Sequence, residues 1–175
     1  MSVTRTVFHV GQHDPLAAPL LAELAIEYSG RYGGTPGEVH ADLVGYPASR
    51  FAPPDGDLLV VVESGEPVAG GAFQRYDAET AELKRIWTAS AHRRKGLGRL
   101  VLEELEAEIA RRGYRRIYLT TGPRQPEAVA LYAAAGYTPL PRDIDSPVGS
   151  LHPFEKYVAA AESAHRSDES EAVPA

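Results

Sequence analysis

The sequence predicts an α/β fold, a mixed but mainly antiparallel sheet with flanking helices, and three observations predict it. A β-branched run at Asp57–Glu63 opens a strand meander that reaches Thr88. Residues 97–112 carry an apolar stripe of helical period, and residues 116–135 read as a strand followed by another helix. The length, 175 residues, suits one domain around one core.

Taken in order, Thr4–Val10 alternates and holds Val7, Phe8 and Val10, which predicts an edge strand. Asp14-Pro15 opens a helix, with Asp14 as N-cap and Pro15 in its first turn. Leu16, Leu20, Leu21, Leu24 and Ile26 form its apolar stripe, and it ends near Tyr28–Gly30. The Gly- and Pro-rich stretch 31–54 holds a short helix around Gly37–Val44. Leu58–Glu63 reads as a strand buried on both faces. Turns at Ser64–Pro67 and Asp77–Thr80 separate it from strands at Val68–Arg75 and Ala81–Thr88. Leu97–Arg112 is a helix that buries Val101, Leu102, Leu105 and Ile109 and offers Glu103, Glu104, Glu106 and Glu108 to solvent, with Gly113 beyond its end. A strand at Arg116–Thr121, a helix at Pro126–Ala135 closed by Gly136, a strand starting at Tyr137-Thr138 and a last strand at Phe154–Val158 complete residues 1–158 as one domain.

Hydrophobic residues at 43% and charged residues at 24% exclude a wholly disordered or fibrous chain. No apolar run approaches the roughly 18 residues a membrane helix needs, and no apolar leader follows Met1, so a cytoplasmic protein without membrane partners is expected. With no cysteine there is no disulfide, thiolate nucleophile, thiolate zinc site or iron–sulfur cluster. The net charge of −6 argues against nucleic acid and leans toward a cationic substrate. Residues 159–175 carry −3 of it, in an acidic tail expected to be disordered. His9 and His13 are four apart but share no helix, and no metal site is expected.

Chemistry concentrates in Ser90–Arg99, between a strand and a helix. Gly96 and Gly98 let backbone approach a ligand closely, and the helix start offers unpaired N–H groups. Arg93, Arg94, Lys95 and Arg99 add positive charge, making an anion cradle suited to phosphate, to which His92 adds. It is not a P-loop, and Val101 stands where a dinucleotide fingerprint needs a third glycine.

Arg93-Arg94-Lys95-Gly96-Leu97-Gly98 resembles the Arg/Gln-x-x-Gly-x-Gly/Ala signature of the GNAT superfamily of N-acetyltransferases. Ala81–Thr88 resembles that family's central strand. Glu127-Ala128-Val129-Ala130-Leu131-Tyr132-Ala133-Ala134-Ala135-Gly136-Tyr137 resembles its later Asn-x-x-Ala-x-x-Leu-Tyr-x-x-x-Gly-Phe/Tyr helix, in the family's order and spacing. The resemblance covers about Leu58–Leu140 and, more faintly, Phe154–Val158. It implies a GNAT-type fold with a splayed central strand pair, here the strands ending at Thr88 and running Arg116–Thr121.

It further implies acetyl transfer from acetyl-CoA, with no metal, to a small-molecule amine or a protein amino group by direct attack in a ternary complex. The backbone of Arg94–Arg99, with Leu97 inside it, would hold the pyrophosphate, and Ile86-Trp87-Thr88 would pair with the pantetheine arm. Trp87 could equally be core. Gln125 stands where the family often has Asn and would be a cofactor contact. Tyr132 matches a tyrosine near the coenzyme A sulfur and would protonate the leaving thiolate. Glu82 lies fourteen residues before Gly96, at the position of the glutamate of histone-acetylating members, and would be the general base. By strand alternation Glu82, Lys84, Ile86 and Thr88 share one face. The family builds its acceptor site from its first two helices, which makes Tyr28, Tyr32, His40 and Phe51 candidate liners. A homodimer is compatible with the resemblance. The alternatives are a non-catalytic acyl-CoA-binding regulatory module and a nucleotide-binding protein using the same loop.

Overall fold

The computed structural model describes residues 2–142 and 151–159, so the acidic tail lies outside the described residues beyond its first position. Seven strands form one sheet: β1 (Arg5–His9), β2 (Asp57–Glu63), β3 (Glu66–Arg75), β4 (Thr80–Thr88), β5 (Arg116–Thr121), β6 (Thr138–Pro139) and β7 (His152–Tyr157). Their order is β1-β2-β3-β4-β5-β7-β6. Every neighbouring pair is antiparallel except β4 and β5, which run parallel and are joined by a helical crossover. Among the described residues four helices flank the sheet: α1 (Ala18–Tyr32), α2 (Pro36–Gly45), α3 (Leu97–Arg111) and α4 (Pro126–Ala134). None is long and apolar enough to cross a membrane.

β2 is buried on both faces, as its continuous apolar run predicts. Leu59 and Val61 meet Leu97, Val101, Leu102, Leu105 and Ile109 of α3, while Leu58 and Val60 turn to the other face with Ala17 and Phe51. α1 places Leu20, Leu21 and Leu24 on that second face beside Trp87. Ile26 departs from the predicted stripe and is 60% exposed, because Ala25 holds the inward position instead.

α1 also runs past its predicted end, through Gly30 to Tyr32, until Gly33 at φ 96° stops it. A three-residue turn, Pro15–Ala17, precedes α1, and Asp14 caps that turn by accepting the Leu16 N–H at 2.9 Å. α2 is opened by a capping box in which Thr35 and Glu38 satisfy each other's backbone N–H.

The glutamates of α3 are not a uniformly solvated face. Glu106 receives Lys156 Nζ at 2.7 Å and Glu108 receives Arg112 Nε at 2.9 Å from the end of its own helix, so these two are held in ion pairs. Arg112 also reaches Asp57 Oδ2 at 3.5 Å, and His9 Nδ1 lies 2.7 Å from the same oxygen. His9, Asp57 and Glu108 form a cation-binding set in composition, but the Arg112 guanidinium is already bonded to both carboxylates.

Candidate active site

β4 and β5 pair at only three positions, Thr80↔Arg116, Ala81↔Ile117 and Glu82↔Tyr118, and then part. The gap beyond Glu82 opens into a cavity of about 780 Å³, closed by the end of α1, the start of α3, and α4. This is the strand pair expected to splay.

A bulge in β4 shapes its wall. Gly70 pairs with Trp87 and Ala72 with Lys84, so β4 spends one residue more than β3 over the same stretch. The extra residue is Arg85, at φ 61°. It reverses the alternation: Ala81 and Leu83 lie under α3, yet Ile86 also lies there and Trp87 turns toward α1. The expectation that Glu82, Lys84, Ile86 and Thr88 share a face is therefore corrected. Opposite the bulge stands Gly71, where a Cβ would come within 2.7 Å of Ile86 Cδ1, so only glycine leaves the bulge its room.

At the cavity mouth, Gly96 is the N-cap of α3 at φ 74° with no side-chain cap. The N–H groups of Leu97, Gly98 and Arg99 precede the first helical bond there, from Leu100 to Gly96. A Cβ at Gly98 would lie 3.1 Å from Leu131, so the first turn of α3 packs tightly on α4. Arg93 and Arg94 line this mouth, and Arg94 also takes a left-handed backbone, φ 64°. Arg99 lines it too, but its guanidinium donates to Ala134 O at 2.9 Å. Lys95 points elsewhere, with Nζ 3.4 Å from His92 Nδ1, and does not line the cavity. A bare helix start with an open glycine-turned approach fits a diphosphate.

Ile86, Trp87, Thr88, Gln125 and Tyr132 all line the cavity. Tyr132 is 5% exposed, braced by the rings of Tyr137 and Phe154, and its hydroxyl makes no hydrogen bond among the described residues. Burial pushes its phenol well above the usual value, so it stays a proton donor. Tyr28 lines the cavity as well, and burial raises it to about 12 although Arg85 opposes the shift. Gln125 Oε1 accepts the Gly122 N–H at 3.1 Å, which turns its amide NH₂ away from that bond.

Four other predicted residues sit apart from the cavity lining. Tyr32 covers Gly122 and accepts the Arg124 N–H at 3.3 Å, outside the cavity lining. His40 is exposed on α2, and Phe51 is a 1% exposed core residue stacked on Tyr46. Glu82 is outside the lining. Gln74 Nε2 donates to its Oε1 at 2.8 Å, Tyr46 donates to Gln74 at 2.5 Å, and Lys84 lies 3.9 Å away.

Glu27, Arg31, Glu127 and Arg85 also line the cavity and are not among the residues predicted for the site. Arg31 binds Glu27 and Glu127 and donates to Arg124 O at 2.8 Å, tying α1 to the loop before α4. The i,i+4 spacing of Glu27 and Arg31 was the available signal. Arg85 had none.

A sheet parted at its centre, with an uncapped helix start at the mouth of the gap, is the architecture of acyltransferases that draw on coenzyme A. The model of the Acetyltransferase (GNAT) family matches residues 21–137, and the chain belongs to that family. It is 39% identical over 59 residues to the uncharacterized N-acetyltransferase YsnE of Bacillus subtilis (strain 168), a match covering 33% of this chain and 39% of that protein. The match thus spans about two fifths of that relative's length. Among solved structures, the PaiA N-acetyltransferase of Thermoplasma acidophilum, in complex with coenzyme A, superposes with a TM-score of 0.73 at 16% identity over 89% of this chain and 99% of that one. YncA of Salmonella typhimurium, solved with its cofactor acetyl-CoA, gives 0.66 at 19% identity over 91% and 96%. These likenesses establish the shared fold, and the family model is that of acetyltransferases.

Proposed function

We propose that the protein transfers the acetyl group of acetyl-CoA to a primary amine by direct attack within a ternary complex. The observation that carries this reading is the parting of β4 from β5 after Glu82 into a cavity that the uncapped start of α3 also lines.

The donor substrate supplies an acyl carbon activated as a thioester. The N–H groups of Leu97, Gly98 and Arg99 hold its diphosphate, with Arg93 and Arg94 adding charge. The free edge of Ile86–Thr88, unpaired with β5, offers backbone groups to the amides of the carrier arm. A backbone N–H near Trp87 meets the oxygen that gains charge during attack.

The amine nitrogen forms its bond to the acyl carbon as the carbon–sulfur bond breaks, and the departing sulfur takes the Tyr132 proton. Glu82 receives the amine's proton through water. It stands at the last β4–β5 pair, where the gap begins, and is 13% exposed. The Tyr132 hydroxyl, unpartnered in the cavity wall, favours turnover over a binding-only module. Calorimetry with acetyl-CoA, followed by thiol release across a panel of amines, tests the reading. Heat of binding and acceptor-dependent thiol release are expected. No binding would refute it, and binding without release would leave the regulatory module.

A further inference from the structure

Six cationic side chains line the cavity against two carboxylates, Glu27 and Glu127. Both carboxylates are already held by Arg31, and Glu27 lies 3.7 Å from Arg93 as well. Lys84 faces Glu82, and Arg99 faces Glu103. Arg94 belongs to the phosphate mouth. Arg85 is different: it lies three residues further down β4 than Thr88, about 10 Å deeper along the strand, toward the closed end of the gap.

No carboxylate pairs with Arg85 among the described residues. Its guanidinium carbon lies 5.3 Å from the Tyr46 ring centre and 5.7 Å from that of Phe51, rings that stack on each other at 5.3 Å. One nitrogen, Nη2, reaches Leu43 O at a long 3.5 Å, and the buried Nε has no partner. Burial lowers the pKa of this group, with Tyr28 and Tyr46 acting in the opposite direction. A half-buried guanidinium with an orphaned donor is costly unless an anion completes it. Its backbone at φ 61° is a second cost, tolerated where a site needs the side chain aimed.

We propose that Arg85 anchors an anionic group of the acceptor, so that the acceptor is a small amine carrying a carboxylate, such as an amino acid. The inference rests on the acetyl-transfer reading and names its substrate class. The aromatic shelf of Tyr46 and Phe51 supports the guanidinium of a residue that lines the cavity, where the carboxylate would bind. This assignment reverses the cationic acceptor that net charge alone suggested: the cavity is locally positive although the protein is acidic.

The test compares matched acceptors with the intact protein: amino acids against the same compounds amidated or decarboxylated, measured by thiol release from acetyl-CoA. The wild type should prefer the carboxylate form by at least about tenfold in kcat/KM, the scale of one charge-assisted contact. Arg85→Gln should erase that preference by raising the acceptor KM, with the KM for acetyl-CoA changed less than about twofold and Arg85→Lys restoring part of it. Equal rates for both forms in the wild type, or a preference that survives in Arg85→Gln, would overturn the assignment while leaving acetyl transfer intact. The wild-type comparison needs no variant to fold. No binding of acetyl-CoA, or no thiol release with any amine, would overturn both.

Discussion

Gln74 Nε2 donates to Glu82 Oε1 across 2.8 Å, and Gln74 is itself oriented by the Tyr46 hydroxyl at 2.5 Å. The candidate base is thus fixed in place by β3 and by the segment after α2, with its second oxygen toward Lys84. Glu82→Gln should lower turnover about a hundredfold near neutral pH. The loss should shrink toward pH 10, where an amine of pKa about 10.4 deprotonates unaided. A pH–rate profile checks it, and a profile parallel to the wild type would remove Glu82 from the mechanism.

Tyr132→Phe deletes a hydroxyl that bonds to nothing in the described structure, so the fold should lose less than about 1 kcal/mol. Turnover should nonetheless drop about a hundredfold with acetyl-CoA affinity unchanged. Steady-state kinetics beside calorimetry separate the two effects.

Burial raises the phenols of Tyr28, Tyr132 and Tyr137, the first to about 12. Above pH 10 the unfolded chain releases these protons first, so stability is full below pH 10 and falls beyond it. For Tyr28 the fall is complete near pH 12. Each group contributes a slope of up to about 1.4 kcal/mol per pH unit. Urea melts between pH 9 and 12 should show this decline, and a flat profile would contradict the burial.

Gly96 and Gly98 serve different ends. Gly96→Ala meets open space but must hold φ 74°, and should cost about 1–2 kcal/mol by backbone strain. Gly98→Val drives a side chain toward Leu131, only 3.1 Å from the first added carbon, and should cost about 1–3 kcal/mol and weaken acetyl-CoA binding. Denaturant titrations and calorimetry on both variants test the division.

Arg112 links Glu108 and Asp57, the latter 4% exposed, and donates to Pro54 O at 2.8 Å. Arg112→Ala should destabilise by about 3 kcal/mol, because it strands partly buried carboxylates. The midpoint of urea unfolding reads this directly. Glu108 adds a pH signature: burial opposes its charge, but hydrogen bonds from Arg111 and Arg112 prevail and hold it below the usual carboxylate range. The stability it contributes is present above its unfolded pKa and lost as pH falls through the folded one.

Much of the site was legible because its signals are local. The strand-to-helix step at Ser90–Arg99 carries its glycines and charges in ten adjacent residues, and the cavity mouth stands there. Tyr132 follows α3 by a recognisable helix pattern and does reach the cavity. The acceptor side was less legible. His40 and Phe51 came from a Gly- and Pro-rich stretch whose periodicity says little about direction, and one points to solvent while the other is core.

What the chain determined by itself is the order of elements, the apolar face of α3, and a helix start built to meet an anion, since these follow from backbone preferences and periodicities within one or two turns. Tertiary structure alone decided where β4 leaves β5, that Arg85 is the bulged residue, and that Glu82 is tethered to Gln74 instead of facing the cavity. Those outcomes depend on Gly71 across the sheet and on Tyr46 and Phe51 from a distant segment. Contacts between residues far apart in sequence leave no periodic trace in either partner.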